Sequence, residues 1–331
     1  MGFFGRKRAP SVPHPRKEPR FNGPLTLERL EQIFQDCVDF TKRPVSLGEG
    51  GACTLTLCYL SGMVKMERVS DYVLRPLAQD EALARCGTPR QAMEEMMGGA
   101  LYNLSAAERT TLDEAAFDLV AGWCLLFFPG ESAVLSLFVG TEEKRSISSP
   151  SNETVLKGSR DAFVESLRTN TSIVRRHLKT PELRIREQVV GRQSVTSVDI
   201  LYIEGLTNPH LVEQVAAQLA DIDIDAVLAT GNIEEYIVPA ARTAFPLVQY
   251  TERSDRFCAG LAEGRVGILI DGLPLGYLAP GVLGDFLQAP QDKSESWLLA
   301  SALTLLRYLC MLGTLLLPAL YVAMVTFHQE M

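Results

Sequence analysis

The C-terminal end of the chain contains its longest uncharged stretch. No residue from Tyr308 to Phe327 is charged, and about 20 apolar residues in a helix match a hydrocarbon core about 30 Å thick. The sequence therefore predicts a transmembrane helix over residues 307–328. Arg307 stands at its front edge, where a guanidinium reaches the lipid headgroups. Pro318 lies inside it, and its missing N–H predicts a kink or a neighbouring helix that satisfies the freed carbonyl.

The ten residues before Arg307 are also uncharged. They either lengthen the span or lie along the membrane surface before the chain turns inward at Arg307. A charged side chain in the middle of a bilayer is costly, so the sequence favours the second arrangement. We therefore expect an interfacial segment over residues 291–306.

The rest of the chain alternates between helical and strand-like patterns. An apolar stripe with helical spacing covers residues 25–40, and a strand-like alternation follows over residues 52–60. Two further strand-like runs, residues 119–128 and 133–139, flank a Pro-Gly-Glu-Ser sequence typical of a hairpin turn. These patterns predict an α/β subdomain over residues 25–148.

A polar break at residues 148–152 precedes a second set of elements. The pattern predicts a helix over residues 159–178, two strands up to residue 203, a helix opened by Pro209, and two short strands around Asp271 and Gly272. We therefore expect a second subdomain over residues 149–290. The predicted fold class is α/β, with two mixed α/β subdomains followed by a C-terminal transmembrane helix.

The composition narrows the functional classes. Of the 331 residues, 47% are hydrophobic and the net charge is −8, so the chain can bury a core and is a poor match for nucleic acid. Residues 1–24 contain six basic residues and no apolar stretch, which predicts a disordered basic tail instead of a signal peptide. Without an export signal, residues 1–296 are expected on the cytosolic side.

Candidate chemistry is sparse in the sequence. The four histidines have no partner at helical spacing, and the seven cysteines lack a regular spacing, so neither a metal site nor a disulfide framework is indicated. A Gly-Glu-Gly-Gly stretch at residues 48–51 lacks the phosphate-loop pattern. The sequence therefore predicts no catalytic residue, no cofactor and no enzyme activity.

Several stretches resemble a known family. They are residues 264–274 (Gly-Arg-Val-Gly-Ile-Leu-Ile-Asp-Gly-Leu-Pro), 288–292, 305–308, 316–323 and 326–331. Residues 153–170, followed by Arg175 and Arg176, and residues 198–209 add to the match. They occur in the order and at the spacing of the GerA family of spore germination proteins, so residues 150–331 resemble that family.

The resemblance implies an A-type subunit of a nutrient germinant receptor in the spore inner membrane. Such subunits resemble oligomeric, ligand-gated ion channels that act with an amino-acid-sensing integral membrane subunit and a lipoprotein subunit. We therefore expect a homo-oligomer in contact with membrane lipid, with residues 1–296 facing the spore core. Family members continue past the His-Gln-Glu-Met stretch into further spans, so this chain is expected to supply the sensor-side region and the first span.

Two alternatives to the receptor subunit remain open. One is a stage-V sporulation paralogue that assists the release of dipicolinic acid and ions. The other is a soluble binding domain or enzyme anchored to the membrane.

Seven residues are candidates for subunit contacts or gating. An arginine after a flexible glycine can pair a carboxylate, although a solvated or capping arginine is an equal alternative. Glu204 ends a strand, and Arg265 and Asp271 bracket an apolar strand, where ordinary strand-end charges are the alternative. The candidates are Gly158, Arg160, Glu204, Arg265, Asp271, Arg307 and Pro318.

Overall fold

Two five-stranded sheets organise the part of the chain that the computed structural model describes, which comprises residues 19–47, 53–100, 105–140, 161–226, 247–287 and 297–327. Every strand pairing within both sheets is antiparallel. We call residues 19–140 the first subdomain and residues 161–287 the second. The strands are β1 (Phe40–Ser46), β2 (Thr54–Leu60), β3 (Ala106–Arg109), β4 (Trp123–Phe127), β5 (Val134–Phe138), β6 (Leu183–Val190), β7 (Thr196–Ile203), β8 (Gln249–Thr251), β9 (Val266–Ile270) and β10 (Gly276–Ala279).

Helices cover both faces of each sheet. The helices are α1 (Leu27–Ile33), α2 (Met66–Val69), α3 (Arg75–Gln79), α4 (Glu81–Ala84), α5 (Pro89–Glu95), α6 (Leu112–Val120), α7 (Leu167–His177), α8 (Pro209–Ala220), α9 (Ser254–Ala262), α10 (Leu283–Leu287) and α11 (Trp297–Phe327), with π turns at Ser70–Leu74 and Met96–Ala100. In the first sheet, α1 and α6 cover one face and α2–α5 the other. In the second, α8 covers one face and α7 with α9 the other. This confirms the predicted α/β class with two mixed subdomains.

The two subdomains share one topology. The strand order is β1-β2-β4-β5-β3 in the first sheet and β6-β7-β9-β10-β8 in the second. Each has a helix before its first strand, helical structure between its second and third strands, and a helix between its third and fourth strands. The second subdomain thus repeats the topology of the first.

The connection from α1 to β1 joins the subdomains. Cys37 forms a parallel bridge with Ile185 of β6, and the Ile185 N–H donates to the carbonyl of Asp36 at 2.9 Å. Beside this bridge, Arg175 of α7 donates Nε and Nη2 to the two carboxylate oxygens of Asp39 at 2.8 and 2.9 Å. Side-chain exposure is 1% for Arg175 and 5% for Asp39. The first subdomain is therefore held against β6 by backbone pairing and a buried, bidentate ion pair.

A short N-terminal segment also contacts both subdomains. The backbone N–H groups of Arg20 and Phe21 donate to Asp113 at the start of α6. The guanidinium of Arg20 lies 3.1 Å from Glu182, just before β6. Residues 20–24, predicted to belong to a disordered tail, are thus placed against the folded chain. Residues 1–18 lie outside the described residues.

The C-terminal helix differs from the sequence prediction in one respect. Helix α11 runs from Trp297 to Phe327 without interruption, so the turn expected before Arg307 does not occur. A continuous helix satisfies the backbone groups of an apolar segment internally, whereas a turn would leave carbonyl and N–H groups without partners. The correction concerns residues 297–306 of the predicted interfacial segment, since residues 291–296 lie outside the described range. The other domain boundaries remain predictions.

Helix α11 is long and apolar enough to cross a membrane, judged by its length and composition. Its 31 residues extend about 46 Å, which exceeds a hydrocarbon core of about 30 Å. Pro318 lies within the helix. Most of its large apolar side chains are exposed in the isolated chain, as expected of a surface that faces lipid.

We predict that the buried ion pair dominates the stability of the contact between the subdomains. Arg175→Met leaves the Asp39 carboxylate buried without its partner, which costs about 3–5 kcal/mol of unfolding free energy. Chemical denaturation of the full chain in detergent micelles, followed by the fluorescence of the buried Trp123, measures the change.

The matched control is Arg85→Met, which removes a pair with Glu81 whose side chains are 77% and 82% exposed. It should leave the denaturation midpoint unchanged, because exposed pairs contribute little. Equal effects of the two substitutions would refute the prediction.

Candidate functional site: the junction between the second subdomain and the membrane helix

A series of polar contacts connects the second sheet (strands β6–β10, called sheet 2 below) to helix α11. Arg265, in the turn between α9 and β9, donates Nη1 and Nη2 to the two oxygens of Asp285 in α10 at 2.6 and 3.0 Å. At the last residue of α10, the carbonyl of Leu287 accepts a hydrogen bond from Arg307 of α11 at 3.0 Å. We call these four residues the junction. They join two of the predicted site residues, Arg265 and Arg307, through a helix that the sequence did not predict.

The first contact of the junction is well shielded from solvent. The side chains of Arg265 and Asp285 are 14% and 13% exposed. Burial alone would raise the pKa of Asp285, but the hydrogen bonds and charge of Arg265 outweigh it, so the pKa lies below its usual range. The hydrogen bond to Asp285 likewise raises the pKa of Arg265. The pair therefore stays ionised over the physiological pH range and fixes α10 against the sheet.

The second contact of the junction lies about one third of the way along α11. Helix α10 packs against α11, and a Cβ added to Gly284 would stand 3.5 Å from the hydroxyl oxygen of Tyr308. The Arg307 guanidinium meets the last carbonyl of α10, where the partial negative charge of a helix end favours a cation. The contacts of the second sheet with α11 through α10 thus lie at Arg307 and Tyr308, where the sequence predicts the membrane boundary.

Asp271 lies outside the junction and supports helix α7. Its Oδ1 accepts the backbone N–H of Leu167 at 3.1 Å, and the N–H of the next residue, Gly272, donates to the carbonyl of Glu165. The N-cap residue of α7, Ser166, makes no capping bond with its own side chain. Asp271 therefore caps the helix from a distant turn, a role that the sequence alone did not suggest.

The remaining predicted site residues are not brought together. Glu204 is half-exposed at the end of β7, 3.7 Å from the Nε of Arg184, which agrees with the alternative of a polar strand end. Pro318 lies farther along α11, beyond the junction. Gly158 and Arg160 lie outside the described residues. All seven stay predictions as functional residues.

Three side chains near α9 have the composition of a hydrolase triad but not its geometry. The Nε2 of His177 lies 3.2 Å from Ser254 Oγ and 3.5 Å from Asp161 Oδ2. In a catalytic triad the serine and the aspartate bind opposite nitrogens of the imidazole. Ser254 is fully buried and its Oγ donates to the Asp161 carbonyl. These contacts therefore hold the segment before α7 against α9.

Sequence reasoning missed Asp285, Asp39 and Asp199. Asp285 and Asp39 follow no motif, because their partners lie 20 and 136 positions away. Asp199 had a usable signal, since it interrupts the apolar run Val-Asp-Ile-Leu-Tyr-Ile of β7. A carboxylate at the centre of a buried strand indicates either a partner or a perturbed pKa.

Comparisons with known proteins agree with the family resemblance. Residues 28–331 match the family model described as Bacillus/Clostridium GerA spore germination protein. The match includes the first subdomain, which the sequence resemblance had not covered.

Two relatives from Bacillus subtilis show the extent of the similarity. The uncharacterized membrane protein YfkQ is 35% identical over 92% of this chain and 58% of its own length. Spore germination protein KA is 34% identical over 88% of this chain and 53% of its own length. The chain thus spans little more than half the length of these relatives.

A solved structure shows the same fold. The crystal structure of the N-terminal domain of the A subunit of the Bacillus megaterium spore germinant receptor GerK3 superposes with a TM-score of 0.63 at 27% identity. The match covers 80% of this chain and 99% of that domain. With a family model that matches nearly the whole chain, and with relatives more than 30% identical, the chain belongs to the GerA family of spore germination proteins.

Proposed function

We propose that this chain is an A-type subunit of a nutrient germinant receptor. Its partners are an amino-acid-sensing integral membrane subunit, a lipoprotein subunit and further copies of the chain. The receptor resembles a ligand-gated ion channel in the spore inner membrane, with residues 1–296 on the spore-core side. The single observation that carries the mechanism is the junction, which connects sheet 2 to α11 through Arg265, Asp285, Leu287 and Arg307.

The junction suggests how the soluble region acts on the membrane. Ligand binding to the receptor shifts a closed–open equilibrium only by as much as the ligand's affinities for the two states differ. A change in the second subdomain moves Arg265, and the shielded ion pair with Asp285 makes α10 follow. Arg307 then passes the displacement to α11. The soluble region is therefore proposed to couple partner subunits to the membrane helices without catalysing a reaction.

The proposal predicts a specific germination defect. In the sporulating bacterium that encodes this chain, deletion of the gene should abolish the release of monovalent cations and dipicolinic acid in response to one class of nutrient. Reintroduction of the gene should restore the response. Cation release is followed by flame photometry and dipicolinic acid by terbium fluorescence.

Two outcomes would speak against the receptor assignment. Unaltered responses to all nutrients tested would overturn it. Normal nutrient-triggered cation release with slowed dipicolinic acid release would instead favour the stage-V paralogue.

The junction predicts a defect that does not arise from loss of the protein. Arg265→Leu removes a charged hydrogen-bond partner from the well-shielded Asp285, at a cost of about 1–3 kcal/mol. When coupling weakens by the same amount, nutrient-triggered cation release slows by about 5- to 150-fold. Immunoblots of spore membranes verify that the variant is as abundant as the unmodified protein.

Arg192→Leu is the matched control. It removes an arginine of the same subdomain whose pair with Asp223 is 68% and 67% exposed, and it should germinate at the normal rate. Normal germination of Arg265→Leu at normal abundance would exclude the junction as the coupling path.

A further inference from the structure

One carboxyl group in the second subdomain is buried without adequate partners. Asp199 lies in the middle of β7 and is 0% exposed. Its Oδ1 has no hydrogen-bond partner. Its Oδ2 has two long contacts, each 3.4 Å, to Arg168 Nη1 and Thr171 Oγ1 of α7. A buried ionised carboxylate normally accepts several short, charge-assisted hydrogen bonds, and Asp199 lacks them.

Thr171 and Arg168, the two residues that contact Asp199, both make shorter hydrogen bonds to other groups. The hydroxyl proton of Thr171 is directed to the carbonyl of Leu167 at 2.6 Å, so Thr171 presents mainly lone pairs to Asp199. Arg168 makes its short bond, 2.7 Å, to Glu187. A neutral Asp199 tolerates contacts of this length, whereas an ionised Asp199 needs short, charge-assisted hydrogen bonds and has none. The site is therefore built for the neutral acid.

The other groups around Asp199 act in the same direction. Glu187 of β6 is its direct cross-strand partner, and like charges at such positions repel. On the other side, β9 presents Leu269, and α9 contributes Phe257, Cys258 and Leu261 to the same core.

Burial, more than the neighbouring charges, favours the protonated form of Asp199. Burial is the main cause that raises the pKa of Asp199, to about 7. The charge of Arg168 and the contact with Thr171 oppose it, whereas Glu187 and Asp39 add to it. Asp39 itself is paired with Arg175. A carboxyl group of this kind changes charge near neutral pH.

We propose that Asp199 is a proton-binding switch that controls how firmly helix α7 is seated on sheet 2. When Asp199 is neutral, it needs no charge-assisted donors and α7 packs closely. Ionisation leaves a buried carboxylate without adequate donors and draws Arg168 away from Glu187. Because α7 also carries Arg175, the loosening reaches the contact between the two subdomains. The inference does not depend on the receptor function.

The sign of the pH effect follows from linkage. Unfolded chains release the aspartate proton above about pH 3.9, while the folded chain retains it up to about pH 7. The stabilisation is therefore complete below the unfolded pKa, and it is lost as the pH rises through the folded pKa, with no further change above it.

The test compares the full chain with Asp199→Asn in detergent micelles. The melting temperature of the variant relative to the unmodified chain should rise steadily between about pH 4 and about pH 7 and then stay constant. A difference in melting temperature that stays constant or falls between about pH 4 and about pH 7 would overturn the proposal.

Glu187→Gln is the matched control at the neighbouring position. It removes the repelling charge and frees Arg168 for Asp199, so it should move the levelling-off point to lower pH without abolishing it. If the melting-temperature difference becomes constant at the same pH as without this substitution, Glu187 and Arg168 do not influence the protonation of Asp199.

A second readout requires no variant. Hydrogen exchange of the α7 amides in the unmodified chain, corrected for intrinsic rates, should accelerate between about pH 4 and about pH 7 and then level off. Corrected rates that are independent of pH would overturn the proposal even if Asp199→Asn failed to fold.

Discussion

The buried ion pair between Arg175 and Asp39 sets how the two subdomains meet. A guanidinium and a carboxylate removed from water are tolerated only with close, complementary geometry, and here both carboxylate oxygens are bound at 2.8 and 2.9 Å. Arg175 also donates to the carbonyl of Leu183 at the start of β6. Burial alone would lower the pKa of Arg175, but Asp39 outweighs it and holds the pKa above its usual range. Arg175 therefore stays charged and keeps both of its bonds to Asp39.

Helix α7 contacts the first subdomain through this pair. Its first turn is capped by Asp271, which lies at the end of β9. Its middle rests on Asp199, and its last turns carry Arg175. The same helix thus contacts the second sheet at one end and binds the first subdomain at the other. A device that changes how α7 is seated acts on both contacts together.

The junction serves the opposite side of the second subdomain. Arg265 follows α9, which packs against α7, and it holds α10 beside the membrane helix. The second sheet therefore lies between the subdomain contact at β6 and the predicted membrane boundary. The contacts described here are the ones through which the proposed coupling would run.

The sequence by itself determined the features that depend on local pattern. An uncharged run of 20 residues is sufficient to predict a membrane helix, and strands β6 and β7 were predicted closely because alternation and turn residues define them. Strand β1 was missed because it is an edge strand. Lys42, Arg43 and Pro44 are suited to an exposed edge and hide the strand pattern.

Only the tertiary structure decided the long-range pairs and their electrostatics. Asp39 and Arg175 are 136 positions apart, and no local pattern indicates that they meet. Asp285 acquires its role from a helix of only five residues that the sequence did not predict. Likewise, the pKa of Asp199 depends on burial and on the distances to Arg168 and Thr171. Periodicity records which face of an element is buried, but the partner of a buried charge is fixed only when distant segments pack together.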